Sequence, residues 1–181
     1  NLFYPLTQNI NYIFSIFWIV GITNAINWID GLDGLASGIC AILFSSLFIV
    51  NILNQNYIIS ILCLGVIGCC IGFLKYNSYP AKIFMGDGGS YFLGFFFASV
   101  SLISFSNNST SELLPLIFLI GLYPILDMIF VISNRLLKGS SPFNPDSNHF
   151  HHILRRNKLS HQKSVKVLYV INIFFCTLGI I

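Results

Sequence analysis

The chain has 181 residues, of which 55% are hydrophobic and only 8% charged, with a formal net charge of +3 and a mean hydropathy of +0.80. Soluble domains carry about 25% charged residues, so this composition excludes an ordinary water-soluble domain and predicts an all-α, polytopic integral membrane protein. No nucleic-acid partner is expected.

Six apolar stretches lie near the ~20 residues that a helix needs to cross a bilayer. They run approximately over 10–28, 35–53, 57–74, 90–105, 113–133 and 165–181. Helix is the expected state because the bilayer interior offers no partner to unpaired backbone groups. No basic region precedes the first stretch, so it does not read as a cleavable signal peptide. The whole chain, 1–181, is taken as one membrane domain.

The first stretch ends in "NAINWIDGLDGLASG", residues 24–38. Asn24, Asn27, Asp30 and Asp33 recur every third residue, and on a helix this spacing makes a slowly drifting polar stripe. A carboxylate at mid-membrane depth costs about 2.5–3.5 kcal/mol even on a gentle scale. A helix end with a capping residue and a glycine turn accounts for one Asp. It accounts poorly for two Asp and two Asn together, so this segment is a candidate site.

Cys40, Cys63, Cys69, Cys70 and Cys176 all fall in apolar stretches without a C-x-x-C pair. They read as small hydrophobic packing residues. After the third stretch comes "PAKIFMGDGGSYFLGF", where Asp87 and a run of glycines open the fourth. Asp87 could be a plain helix N-cap, or a ligand for a hard cation such as Mg²⁺ beside a phosphate held by backbone N–H groups. In the fifth stretch Asp127 stands inside the membrane. It reads equally as a functional group and as a buried structural one, paired with Arg135 or with another helix.

The segment 134–164 is a basic loop containing "SPFNPDSNHFHHILRR", with His149, His151 and His152 in an H-x-H-H pattern. That spacing does not set three imidazoles around one zinc on a regular helix. A hydrogen-bonding cationic cluster for phosphates suits it better. Arg155, Arg156, Lys158, Lys163 and Lys166 fit either phosphate contact or the anionic lipid surface. All nine Lys and Arg residues fall on one set of alternating connections, which the positive-inside rule makes cytoplasmic. Asn107 and Asn108, in overlapping N-x-S/T sequons, and Glu112 fall on the other. The topology therefore brings three separated polar motifs to one membrane face.

Together these motifs resemble those of the polyprenyl-phosphate N-acetylhexosamine-1-phosphate transferases, glycosyltransferase family 4. The similarity spans about residues 21–155 and includes N-x-x-N-x-x-D-G-x-D-G, P-A-x-x-F-M-G-D-x-G-S and H-x-H-H. It is stronger to the branch that transfers N-acetylglucosamine 1-phosphate. Phe150 interrupts the run of histidines typical of the alternative, the phospho-N-acetylmuramoyl-pentapeptide transferases of peptidoglycan synthesis. The resemblance implies transfer of a sugar 1-phosphate from a UDP-N-acetylhexosamine to undecaprenyl phosphate, with release of UMP, as the first step of a cell-envelope glycan. It implies Mg²⁺, with Mn²⁺ as a substitute, held by Asn27 and Asp87. Leu32 and Asp33 would line the uridine pocket, Phe84 would face uracil, and Asn77 would bond it. Asp30, Asp33, Asp87, His149, His151 and His152 are the implied catalytic set; Asn24 and Arg155 join the substrate-binding residues. The implied setting is the bacterial inner membrane, with the active face cytoplasmic and a homodimer compatible with the family.

The family also carries an Asp-Asp pair upstream of its first signature, and no such pair precedes Asn24. The expectation is that this chain is the C-terminal part of a longer transferase and inactive alone. Two rivals from other classes are a transporter and an inactive membrane scaffold. A transporter would carry polar residues at mid-depth in several spans.

Overall fold

The computed structural model describes residues 4–106, 113–141 and 148–180. They form eight helices and, among the described residues, no strand: α1 Tyr4–Trp28, α2 Leu35–Leu53, α3 Tyr57–Asn77, α4 Gly86–Ser106, α5 Leu113–Ile120, α6 Leu122–Leu137, α7 Phe150–Arg156 and α8 His161–Ile180. By length and composition α2, α3 and α8 can each cross a membrane, and Tyr12–Trp28 of α1 is a shorter apolar helix. The sequons, Glu112 and Pro142–Ser147 of the basic loop lie outside the described residues.

The six apolar stretches all become helical, with three departures. The fourth helix starts at Gly86 rather than at residue 90. Gly86 takes a left-handed φ of +65°, which favours glycine, and this turns the chain so that Asp87 enters the first helical turn. There its charge faces the positive end of the helix dipole.

The fifth stretch divides into α5 and α6 at Gly121. Pro124 has no N–H to give the Ile120 carbonyl one turn earlier, and the Cys176 Sγ of α8 approaches that oxygen instead, at 3.7 Å. The third departure is α7, a short helix inside the basic loop. It is too short for an apolar period to announce it.

Buried α2 is the axis of the bundle, packed by α3, α8 and α4. α1 lies against α4 and α6. Small residues and hydroxyls join these helices, as they do where hydrophobic burial cannot. Trp18 Nε1 donates to Ser101 Oγ at 3.0 Å, and Asn51 Nδ2 to Ser104 Oγ at 2.9 Å. Gly94 of α4 meets the Thr23 backbone so closely that a Cβ would stand 2.8 Å from its Cα. From that antiparallel contact, one turn along each helix brings Asn27 beside Ser90.

The periphery is apolar: Phe17 of α1 is 74% exposed and Ile58 of α3 is 79% exposed. Such side chains suit lipid.

Candidate active site

The turn between α1 and α2 is short and tightly bonded. Asp30 N donates to the Asn27 carbonyl, Gly31 N to that of Ile29, and Leu35 N to that of Leu32. Gly34 adopts φ +78° at the entry to α2. Its N–H donates to Asn77 Oδ1 at 3.1 Å, and Ser37 Oγ shares the same acceptor at 3.0 Å. Asn77 Nδ2 reaches on to the Ile83 carbonyl at 2.9 Å. Tyr169 of α8 crosses Gly38 and donates its hydroxyl to the Gly34 carbonyl. On the other side, Asp33 Oδ2 accepts the Ala81 N–H at 3.0 Å. The "DGLDG" turn and the segment 78–85 thus make one frame.

That frame encloses a cavity of about 300 Å³ lined by Asp30, Gly31, Leu32, Asp33, Asn77, Phe84, Met85, Gly86 and Asp87. This volume is at the small end of ligand pockets, about 300–1,000 Å³. Six residues singled out by the sequence, Asp30, Leu32, Asp33, Asn77, Phe84 and Asp87, are therefore neighbours in space. Phe84 is 77% exposed beside the opening, an aromatic face without cover. Asn77 lines the cavity, but it is buried and its amide holds the frame together.

Asn27 sits at the cavity's edge. Its Nδ2 donates to Asp87 Oδ1 at 3.2 Å and to Ser90 Oγ at 2.9 Å. Burial, and secondly the charge of Asp87, hold the Asp30 carboxyl above its ordinary range. Asn24 is not brought to the cavity; its Nδ2 turns back to the Val20 carbonyl of its own helix, at 2.7 Å.

The histidines close the group from the far side of Gly31. His151 is buried against that glycine, where any Cβ would collide with its ring. The His149 and His151 rings stack at 5.4 Å and 11°, and the His151 and His152 centroids are 4.2 Å apart. Burial, reinforced by repulsion from His152 and His149 against the opposing pull of Asp127, lowers the His151 pKa to about 4. The ring is neutral at physiological pH, and both its nitrogens are buried without a hydrogen-bond partner. Arg155 is exposed and donates to the Leu159 carbonyl at 2.8 Å.

Asp127 and Arg135, weighed from the sequence as a pair, and Trp28, which the sequence reading did not single out, complete the group. Asp127 joins His149 and the start of α7. Trp28 meets the His149 ring edge-on at 6.0 Å, and the Arg135 guanidinium lies 4.9 Å from the centre of a Trp28 ring. Of the two partners weighed for Asp127, the hydrogen bonds run to the α7 region, while Arg135, eight residues along α6, lies against Trp28.

A family model described as "Glycosyl transferase family 4" matches residues 1–105. Curated relatives match nearly the whole chain. A Bacillus subtilis protein named "Probable undecaprenyl-phosphate N-acetylglucosaminyl 1-phosphate transferase" is 44% identical over 180 residues, covering 98% of this chain and 48% of its own length. The chain belongs to glycosyl transferase family 4. A second relative, the Thermotoga maritima "Undecaprenyl-phosphate alpha-N-acetylglucosaminyl 1-phosphate transferase", is 36% identical over 94% of this chain and 52% of its own. A Prochlorococcus marinus "Phospho-N-acetylmuramoyl-pentapeptide-transferase" is 35% identical over 92% of this chain and 48% of its own. The chain spans about half the length of these relatives. It is an all-helical membrane protein of family 4, and both branches weighed from the sequence are represented among its relatives.

Proposed function

We propose that the full-length protein transfers N-acetylglucosamine 1-phosphate from UDP-N-acetylglucosamine to undecaprenyl phosphate at the cytoplasmic face of the bacterial inner membrane. An oxygen of the lipid phosphate attacks the sugar-bearing phosphorus. The bond between the two phosphates of the donor breaks, and UMP leaves. The observation that carries this reading is the cavity walled by Asp30, Leu32, Asp33, Phe84 and Asp87. Phe84 offers a flat face for uracil, and base–aromatic stacking contributes about 1–3 kcal/mol.

The cavity's charge argues for a divalent cation. Three carboxylates line it, and a diphosphate would be repelled from them unless positive charge stood between. Asn27 and Asp87 are the side chains that would hold Mg²⁺. Their contact at 3.2 Å presents an amide and an exposed carboxylate together. Among the described residues no three His, Cys, Asp or Glu side chains gather as a closed metal site. Mg²⁺ suits so sparse a set, since it takes one or two protein ligands and fills its shell with phosphate and water. When bound it would act as a Lewis acid on the diphosphate and neutralise the charge of departing UMP. The residues supply the rest: the frame orients the nucleotide, and the histidines stand where the sugar-phosphate end would emerge past Gly31.

The identity to the two N-acetylglucosaminyl 1-phosphate transferases, with Phe150 between His149 and His151, favours that sugar over the muramoyl-pentapeptide. The test supplies the full-length protein with undecaprenyl phosphate, Mg²⁺ and labelled UDP-N-acetylglucosamine or UDP-N-acetylmuramoyl-pentapeptide. An EDTA-sensitive lipid product from the first donor alone is expected. Product from the second alone would move the protein to the peptidoglycan branch, and product from neither would end the proposal.

A further inference from the structure

Asp127 lies within α6 and is 0% exposed, yet it is fully engaged at both oxygens. Oδ2 stands 2.7 Å from His149 Nδ1, and Oδ1 accepts the Phe150 N–H at 2.7 Å. An ionised carboxylate only accepts hydrogen bonds, so the facing imidazole nitrogen must carry the proton. The tautomer of His149 is then fixed, and in the neutral ring Nε2 is left with a bare lone pair. The ring cannot easily swing away. It is stacked on His151, met edge-on by Trp28, and begins the turn that the second oxygen of Asp127 caps.

A helix cap alone would need one acceptor. Here the carboxylate divides its oxygens between the backbone of α7 and the ring of a candidate catalytic residue.

We infer that Asp127 is a positioning residue of the reaction: it sets the Nδ1–H tautomer of His149 and holds the ring in its place in the histidine cluster. The role rests on the transferase reading in its kinetic consequence but not in its geometry. In the neutral ring Nε2 serves the phosphate chemistry as a hydrogen-bond acceptor. Asp127→Asn keeps the shape of the side chain. Its oxygen can retain the Phe150 N–H while its NH₂ donates to Nδ1, which forces the proton to Nε2.

The experiment uses the full-length protein in lipid nanodiscs with ¹⁵N-labelled histidine, the His149 signals being identified by their loss in His149→Gln. In the neutral ring, Nδ1 is expected to carry the proton in the wild type, and Nε2 in Asp127→Asn. In the transfer assay Asp127→Asn should lower kcat about 10²–10⁴-fold, in the range of a misassigned acid–base group. The KM for UDP-N-acetylglucosamine should stay within about twofold, because the nucleotide cavity is untouched. Asp127→Glu, which keeps the carboxylate, should recover part of kcat. The double variant Asp127→Asn/His149→Ala should be no slower than His149→Ala, since groups that act as a unit are not additive.

An Nε2–H tautomer in the wild type overturns the inference. So does a kcat of Asp127→Asn within twofold of wild type, or a double variant showing both losses in full. The wild-type tautomer decides the geometry even if the Asn variant fails to fold. It needs no turnover, so an inactive wild type would count against the transferase reading and leave this measurement standing.

Discussion

Asp87 and Asp127 are both carboxylates beside helix starts, and the protein treats them in opposite ways. Asp87 is exposed in the first turn of α4, with the Asn27 amide beside it. Asp127 is sealed inside the bundle, with one oxygen accepting the Phe150 N–H and the other 2.7 Å from His149 Nδ1. A buried, fully bonded carboxylate stabilises an arrangement of its own protein. An open one keeps lone pairs for a cation or a substrate. The difference lies in what surrounds each acid.

The contrast is broken most severely by neutralising the open acid. Asp87→Asn in the full-length protein should lower the kcat of the proposed transfer by about 10³-fold, roughly 4 kcal/mol of transition-state stabilisation, with little change in thermal stability. Transfer at the wild-type rate in that variant would show that the exposed carboxylate does no chemistry. A smaller effect is expected from Phe84→Ala. Removing the exposed aromatic face should weaken UDP binding by about 1–3 kcal/mol, measured by titration calorimetry. Unchanged affinity would mean the base sits elsewhere.

Gly31 lies on the seam between the two regions. Gly31→Val drives a branched side chain into the His151 ring, and overpacking of this kind costs about 1–3 kcal/mol. A melting temperature equal to wild type would show that turn and histidines do not touch. The last expected effect is one of pH. His151 is held down at about 4 from an ordinary 6.5, so the stability due to its neutral ring is complete above pH 6.5. That stability is lost progressively as the pH drops from 6.5 to about 4, below which the loss is complete. Unfolding midpoints from pH 7 to 4 should fall less steeply in His151→Gln than in wild type. Parallel slopes would show that another group accounts for the acid sensitivity.

Much of this was legible in the sequence because membrane insertion imposes simple rules. Length and hydropathy announce the helices. The glycine-punctuated motifs marked the cavity lining, from Asp30 through Asp33 to Phe84 and Asp87. What escaped was set by packing. The start of α4 at Gly86 depends on a left-handed turn, and the break at Gly121 on a proline whose orphan carbonyl is met by a distant cysteine. The bonds from Asp127 to His149 and Phe150 join positions 22 and 23 residues apart, a separation that neither helical period nor motif spacing encodes. Asn24 lies apart from the cavity. It keeps the motif's spacing, yet its amide bonds its own helix.

The central claim is that the motifs frame a nucleotide cavity open to the cytoplasm. It is tested most directly by labelling Phe84→Cys in the full-length protein with a membrane-impermeant maleimide, in inside-out and right-side-out vesicles. The wild type, whose cysteines lie in apolar stretches, reports the background. The account predicts labelling in inside-out vesicles alone, slowed by UDP-N-acetylglucosamine with Mg²⁺. Labelling from the outer face, or a rate that the nucleotide sugar leaves unchanged, would contradict it.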